Sequence, residues 1–127
     1  MPIRNSVDLK ERIIYSTCVG IMKQDDFVEY VKEIWSHDKY YGFNELFDVT
    51  QADWSEFNFS YLIEVAKNAS QLRTIDIKSK LAWVVLEGKQ RELTEFYKSA
   101  KLMTPGTSRK LEAFNSKDEA MQWLRIK

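Results

Sequence analysis

Apolar side chains recur along this chain in two different periods, and the alternation between them limits the fold more than any other feature. Four stripes with helical spacing are interleaved with short runs that read as strands. A strand, a helix and a second strand in succession are joined by a right-handed crossover, which sets the two strands parallel and lays the helix on the sheet. The order read from the sequence is β-β-α-β-α-β-α-β-α. It predicts an α/β chain with a mixed, mostly parallel sheet and an antiparallel N-terminal strand. The 127 residues contain no Pro/Gly/Ser-rich linker, so one domain over 1–127 is expected.

Ile3, Val7 and Leu9 alternate with Arg4, Ser6, Asp8 and Lys10, the period-2 pattern of an edge strand with one buried face. A turn at 8–11 leads into a β-branched strand over 13–19, stopped by Gly20, and the two should form an antiparallel hairpin. Phe27, Val28, Val31, Ile34 and Trp35 then mark one face of a helix whose first turn carries Asp25 and Asp26, suited to the positive end of its dipole. A strand over 43–49 ends at Asp48 and is followed by a polar loop at 50–56. The second helical stripe is Phe59, Leu62, Ile63, Ala66 and Ala69.

Residues 81–86 are apolar without alternation, as in a central strand covered on both faces. Leu93, Phe96, Tyr97 and Ala100 form a third helical stripe, which Pro105-Gly106 stops. A strand over 109–114 follows. Ser116-Lys117-Asp118-Glu119 matches a capping box at the start of a last helix that carries Ala120, Trp123 and Leu124.

Composition narrows the function classes. Nineteen basic residues balance nineteen acidic ones, so no global field draws the chain to nucleic acid, and the basic cluster of Arg73, Lys78 and Lys80 is broken by Asp76. No nucleic-acid partner is expected. No run approaches the roughly 20 apolar residues needed to span a bilayer, and the first residues do not resemble a signal peptide. The single cysteine, Cys18, permits no internal disulfide and reads as a packed thiol, which fits a reducing cytoplasm.

Val19-Gly20 leading into the first helix, Leu46-Phe47-Asp48 closing a strand, the run at 81–86, and Phe114-Asn115-Ser116-Lys117-Asp118-Glu119-Ala120-Met121-Gln122-Trp123-Leu124 together resemble the SpoIIAA-like family. That family shares the STAS fold of the anti-sigma factor antagonists. The resemblance implies a regulatory or binding domain. In the antagonists a strand ends in Asp, which Asp48 matches, and an Asp-Ser pair soon after carries the phosphorylated serine. This chain has Phe57-Asn58-Phe59-Ser60 there, after a longer loop, so the resemblance assigns the phosphoacceptor role to neither Ser60 nor Ser55.

The segments at 40–43 and 54–61 hold more aromatic residues than one helix face can bury. Tyr41, Trp54, Phe57, Phe59 and Tyr61, with Asp48 and Ser60, are therefore the candidate ligand- or partner-binding residues. In open α/β sheets ligands bind beyond the carboxyl ends of the strands, where this loop is expected. Ordinary core or loop packing is the favoured account of most of these rings, because Tyr and Trp bury well when their polar tips reach water. Ser60 reads either as an anion contact or as a plain helix-start residue. Asp48 reads as an acid–base group or site anchor, or as a side chain bonding the following loop.

One histidine, His37, excludes a multi-histidine metal site and reads best as a helix-end charge beside Asp38. The carboxylates Glu45, Asp48, Asp53 and Glu56 match no calcium-loop spacing, and no phosphate-binding glycine motif occurs. No catalytic residue, metal or cofactor is expected. Three readings stay open: a non-enzymatic regulatory or protein-interaction domain, a carrier or sensor of a small hydrophobic, lipid-like ligand held by the aromatic residues, and, behind both, an enzyme whose acid–base work rests on a lone Asp, Ser or Lys without a motif. Each is compatible with a monomer or a homodimer.

Overall fold

Five strands, β1 (Ile3–Asp8), β2 (Ile13–Ile21), β3 (Asn44–Asp53), β4 (Lys80–Val84) and β5 (Lys110–Phe114), lie side by side in chain order in one sheet. The computed structural model describes residues 3–35, 38–40, 42–57, 60, 79–102 and 110–126. β1 and β2 are antiparallel, and every later pair is parallel. The described helices are α1 (Gln24–Tyr30), which continues as a π-helical turn at Val31–Trp35, α2 (Lys89–Leu102) and α3 (Lys117–Arg125), with a 3-10 turn at Asp38–Tyr40. The mixed α/β architecture read from the sequence is the one observed. The stripe of Phe59, Leu62, Ile63, Ala66 and Ala69 lies outside the described residues, as do His37, Arg73, Lys78 and Pro105-Gly106.

Because side chains alternate across a strand, the sheet has two distinct faces. One carries Ile14 and Cys18 of β2, Phe47 and Val49 of β3, Leu81 and Trp83 of β4 and Leu111 of β5, packed with Phe27, Tyr30 and Ile34 and with Leu93 and Tyr97 of α2. The other carries Ile13, Leu46, Ala82 and Val84 beneath Ala120 and Leu124 of α3. Both faces of β4 are thus buried, as its unbroken apolar run requires. β3, not β4, is the middle strand.

α3 begins with the expected cap, the Glu119 N–H donating to the Ser116 hydroxyl at 3.2 Å. Its far end is held by side chains from the sheet. Lys80 Nζ donates to the Trp123 and Ile126 carbonyls at 2.9 and 2.7 Å, and Asn44 Nδ2 donates to the Leu124 carbonyl at 3.1 Å. These donors satisfy carbonyls that a helix end leaves without intrahelical partners.

Several boundaries differ from the pattern. β2 does not stop at Gly20: the glycine takes φ +95° inside the strand, which runs on to Ile21. β3 does not end at Asp48 but continues to Asp53, because the prolonged β2 pairs with it as far as Ile21 and Asp53. β4 ends at Val84, and Leu86 is 54% exposed. Leu9 belongs to the turn after β1 and is 62% exposed, so only Ile3 and Val7 of that alternation face the core. In the first helix the buried stripe runs through Phe27, Tyr30 and Ile34, the i, i+3, i+7 spacing of one helix face.

Candidate functional site

The region beyond Asp48 is built on a bulge. Thr17 of β2 opposes Asp48 while Val19 opposes Gln51, so β3 carries one extra residue between those pairs. Asp48 Oδ1 accepts from the Thr50 N–H at 2.9 Å and the Thr50 hydroxyl at 2.7 Å, and so satisfies the backbone where the ladder breaks. Its other oxygen lies 3.8 Å from Lys117 Nζ at the start of α3. Asp48 is therefore in mid-strand, on the face that α3 covers, level with the end of β4 at Val84.

Past the bulge, β2 and β3 project together beyond the end of β4. The exposed backbone edge of β3 is covered by one side chain of α2: Gln90 Nε2 donates to the Ala52 carbonyl at 3.1 Å and to that of Thr50 at 3.5 Å. Gln90 Oε1 accepts from the Leu86 N–H at 2.9 Å. The amide thus continues the ladder that β4 abandons. The projecting ribbon ends in a turn closed by Phe57 N–H to the Trp54 carbonyl at 3.0 Å. The Asp53 carboxylate accepts the Ser55 N–H at 2.9 Å, the leading reason its pKa is lowered.

Trp54 and Phe57 point into the core at 4% and 6% exposure. Their rings meet edge to face at 5.0 Å, and Phe57 also packs edge to face on Phe27 at 5.9 Å. Trp54, Trp83 and Tyr97 form a stacked column with centroid spacings of 6.1 and 5.8 Å. The loop aromatics therefore close the carboxyl end of the helix-side core. Within this column the indole N–H groups of Trp54 and Trp83 are buried without a hydrogen-bond partner among the described residues. Such a donor costs about 1–3 kcal/mol when left unmet.

Ser60 is helical and exposed. Tyr41, Phe59 and Tyr61 lie outside the described residues. Asp48, Trp54 and Phe57 share one end of the sheet, yet on opposite faces of it. A polar groove of about 250 Å³ opens nearby between Lys23, Gln24 and Asp25, which precede and begin α1, and Glu56 of the loop. The Cys18 thiol is buried, and desolvation pushes its pKa up to about 11, which keeps it protonated and unreactive.

Pattern reading missed the apolar groups at this end. Tyr15, Thr17, Val19 and Ile21 follow Ile13 on the α3 side of β2, but α3 covers only the lower part, leaving Val19 52% and Ile21 45% exposed. The signal was present: the period-2 alternation runs straight through Gly20 to Ile21.

The fold of this chain is similar to that of a solved structure. It is described as that of an uncharacterized protein from the DUF3478 family with a SpoIIAA-like fold, from Shewanella loihica PV-4; TM-score 0.59, 17% identity, 96% of this chain and 93% of that chain covered. This chain has a SpoIIAA-like fold. No family model and no curated protein matches the sequence. Among the described residues no helix is long and apolar enough to cross a membrane, and no group of three or more His, Cys, Asp or Glu side chains is placed to hold a metal ion. The SpoIIAA-like fold sets where the carboxyl end of the sheet lies, while the bulge at Asp48 and the projecting ribbon are written in this chain's own side chains.

Proposed function

We propose that this chain is a protein-interaction domain of regulatory type that binds its partner through the projecting end of β2 and β3. The observation that carries this reading is the pair Val19 and Ile21, about half exposed on a flat strand face that α3 leaves bare. Gln51 and Asp53 stand opposite them in the register, and Asp48 with Lys117 borders them toward α3. Aliphatic side chains on a rigid platform with a polar rim make the anatomy of a contact surface. The partner that fits is a protein segment presenting apolar side chains to Val19 and Ile21 and a donor or cationic group to Asp53.

The test compares crosslinked captures from the source cells on wild type and on Val19→Lys with Ile21→Lys, a pair of exposed substitutions that leaves the core intact. A stoichiometric partner held by wild type and lost from the double variant is expected. Retention of every captured protein by the variant removes this surface from consideration.

A second reading, a sensor or carrier of a small hydrophobic ligand, is favoured by one observation, the two buried indole N–H groups of Trp54 and Trp83. A ligand with an apolar body and an acceptor oxygen would complete both donors. Native mass spectrometry of gently purified protein is expected to show a stoichiometric small molecule. Its removal would shift the two indole N–H resonances in a ¹⁵N spectrum. A bare chain with both resonances unchanged on extraction ends the ligand reading.

A further inference from the structure

Among the described residues nothing pairs with the outer edge of β1, and Arg4, Asn5 and Ser6 along it are exposed. An edge strand offers its outward N–H and C=O groups to any extended chain, a liability that charged side chains usually blunt. Here the charges are ordered. Ile3 and Val7 face the helix-side core, so Arg4, Ser6 and Asp8 share the opposite face. Arg4 forms no ion pair among the described residues. Asp8 uses one oxygen, Oδ1, to accept the Lys10 and Glu11 N–H groups of the turn at 2.9 Å each.

Two copies of one strand that pair antiparallel about a two-fold axis can adopt only a few registers, because directly opposed residues must lie on the same face. The axis therefore passes through a residue, not between two. With the axis at Ser6, Arg4 of each copy stands directly opposite Asp8 of the other, within about 5.5 Å between Cβ atoms. Both ion pairs form on one face, and Asn5 meets Val7 of the second copy on the other.

We infer that β1 is a self-recognition edge: two copies of this chain join antiparallel about Ser6 into one continuous ten-stranded sheet, with reciprocal Arg4–Asp8 pairs fixing the register. The same charges disfavour an arbitrary strand, since a partner without an acid opposite Arg4 and a base opposite Asp8 leaves both unmatched. This surface is separate from the one proposed for the regulatory partner.

Sedimentation velocity on the full chain over a range of concentrations tests it. Wild type is expected to show a concentration-dependent dimer. Arg4→Glu sets a second carboxylate against Asp8 at both contacts, and Asp8→Lys sets a second cation against Arg4 at both; each weakens self-association by about tenfold or more. An equimolar mixture of the two variants restores complementarity at both contacts and should form a one-to-one heterodimer. If Asp8→Lys fails to fold, Asp8→Asn keeps an oxygen for the turn while removing the charge, and its dimer should dissociate more readily than wild type. A wild type that stays monomeric, an Arg4→Glu chain that associates as tightly as wild type, or a mixture that does not assemble overturns the inference.

Discussion

Trp83→Ala is expected to cost the fold about 3–5 kcal/mol, the largest loss for any single truncation of this core. Trp83 sits on β4, 1% exposed, and its ring touches aromatic neighbours on every side: Trp54 at 6.1 Å, Tyr97 at 5.8 Å, Phe47 at 5.7 Å and Phe27 at 6.5 Å. Those neighbours come from β3, the loop after it, α1 and α2, so the truncation opens a cavity where four parts of the chain meet. Rings this large in a packed interior cannot close over the gap, and the lost transfer energy and the cavity add. Urea unfolding checks this as a fall in midpoint at unchanged slope. Trp83→Phe, which keeps most of the packing and removes an N–H without a partner among the described residues, should lose far less. A Trp83→Ala loss below about 1 kcal/mol, the size typical of ordinary substitutions, would mean that the aromatic column is not the centre of the core.

What could be read from the sequence was whatever depends on period. The unbroken apolar run at 81–86 announced a strand buried on both faces, and Ser116 with Glu119 announced the start of α3, because each signal is local and each has one physical solution. The element order then fixed the sheet, since successive crossovers of one hand place parallel strands side by side. Strand ends were less legible because they depend on pairing between distant segments. The sequence 50–53 looks like a polar loop, yet it is strand, since Val19–Ile21 of the neighbouring strand supplies hydrogen bonds that no residue within 50–53 encodes. Glycine commonly punctuates strands, and Gly20 does not end β2 because its φ of +95° is absorbed next to the register shift.

The candidate site was legible in location and not in direction. An excess of aromatic residues after β3 pointed to the carboxyl end of the sheet. Composition does not say that Trp54 and Phe57 turn inward to finish a core whose other walls are Phe27 and Trp83, while the outward-facing apolar side chains are Val19 and Ile21. Exposure at this end is decided by the length of α3, which is too short to reach the top of β2. Asp48 shows the same limit: spacing placed an acid near the strand end, and only the bulge shows why an acid is needed there, to bond the Thr50 N–H.

Tyr30→Phe is the second substitution expected to have a large effect, a loss of about 2–3 kcal/mol from the removal of one oxygen atom. Glu45 shares a face of β3 with Phe47 and Val49 and is fully buried, so an acidic side chain is held between the sheet and α1. The Tyr30 hydroxyl donates to Glu45 Oε2 and lies 2.6 Å from the Ser16 hydroxyl, which is also buried. Removing it leaves an acid and an alcohol each short of a bond in a medium that cannot replace it. Ser16→Ala alone should cost about 1 kcal/mol. The double variant should cost less than the sum, because once the Tyr30 hydroxyl is gone Ser16 has already lost its partner. Equilibrium unfolding of the four proteins closes the cycle. Losses that add to within about 0.3 kcal/mol would show that the Tyr30 and Ser16 side chains do not act as one unit. A clear shortfall would mean that α1 is registered on the sheet by these bonds as well as by Phe27. The entry of α1 would then be fixed relative to the end of β2, and with it the spacing between Val19, Ile21 and the loop beside them.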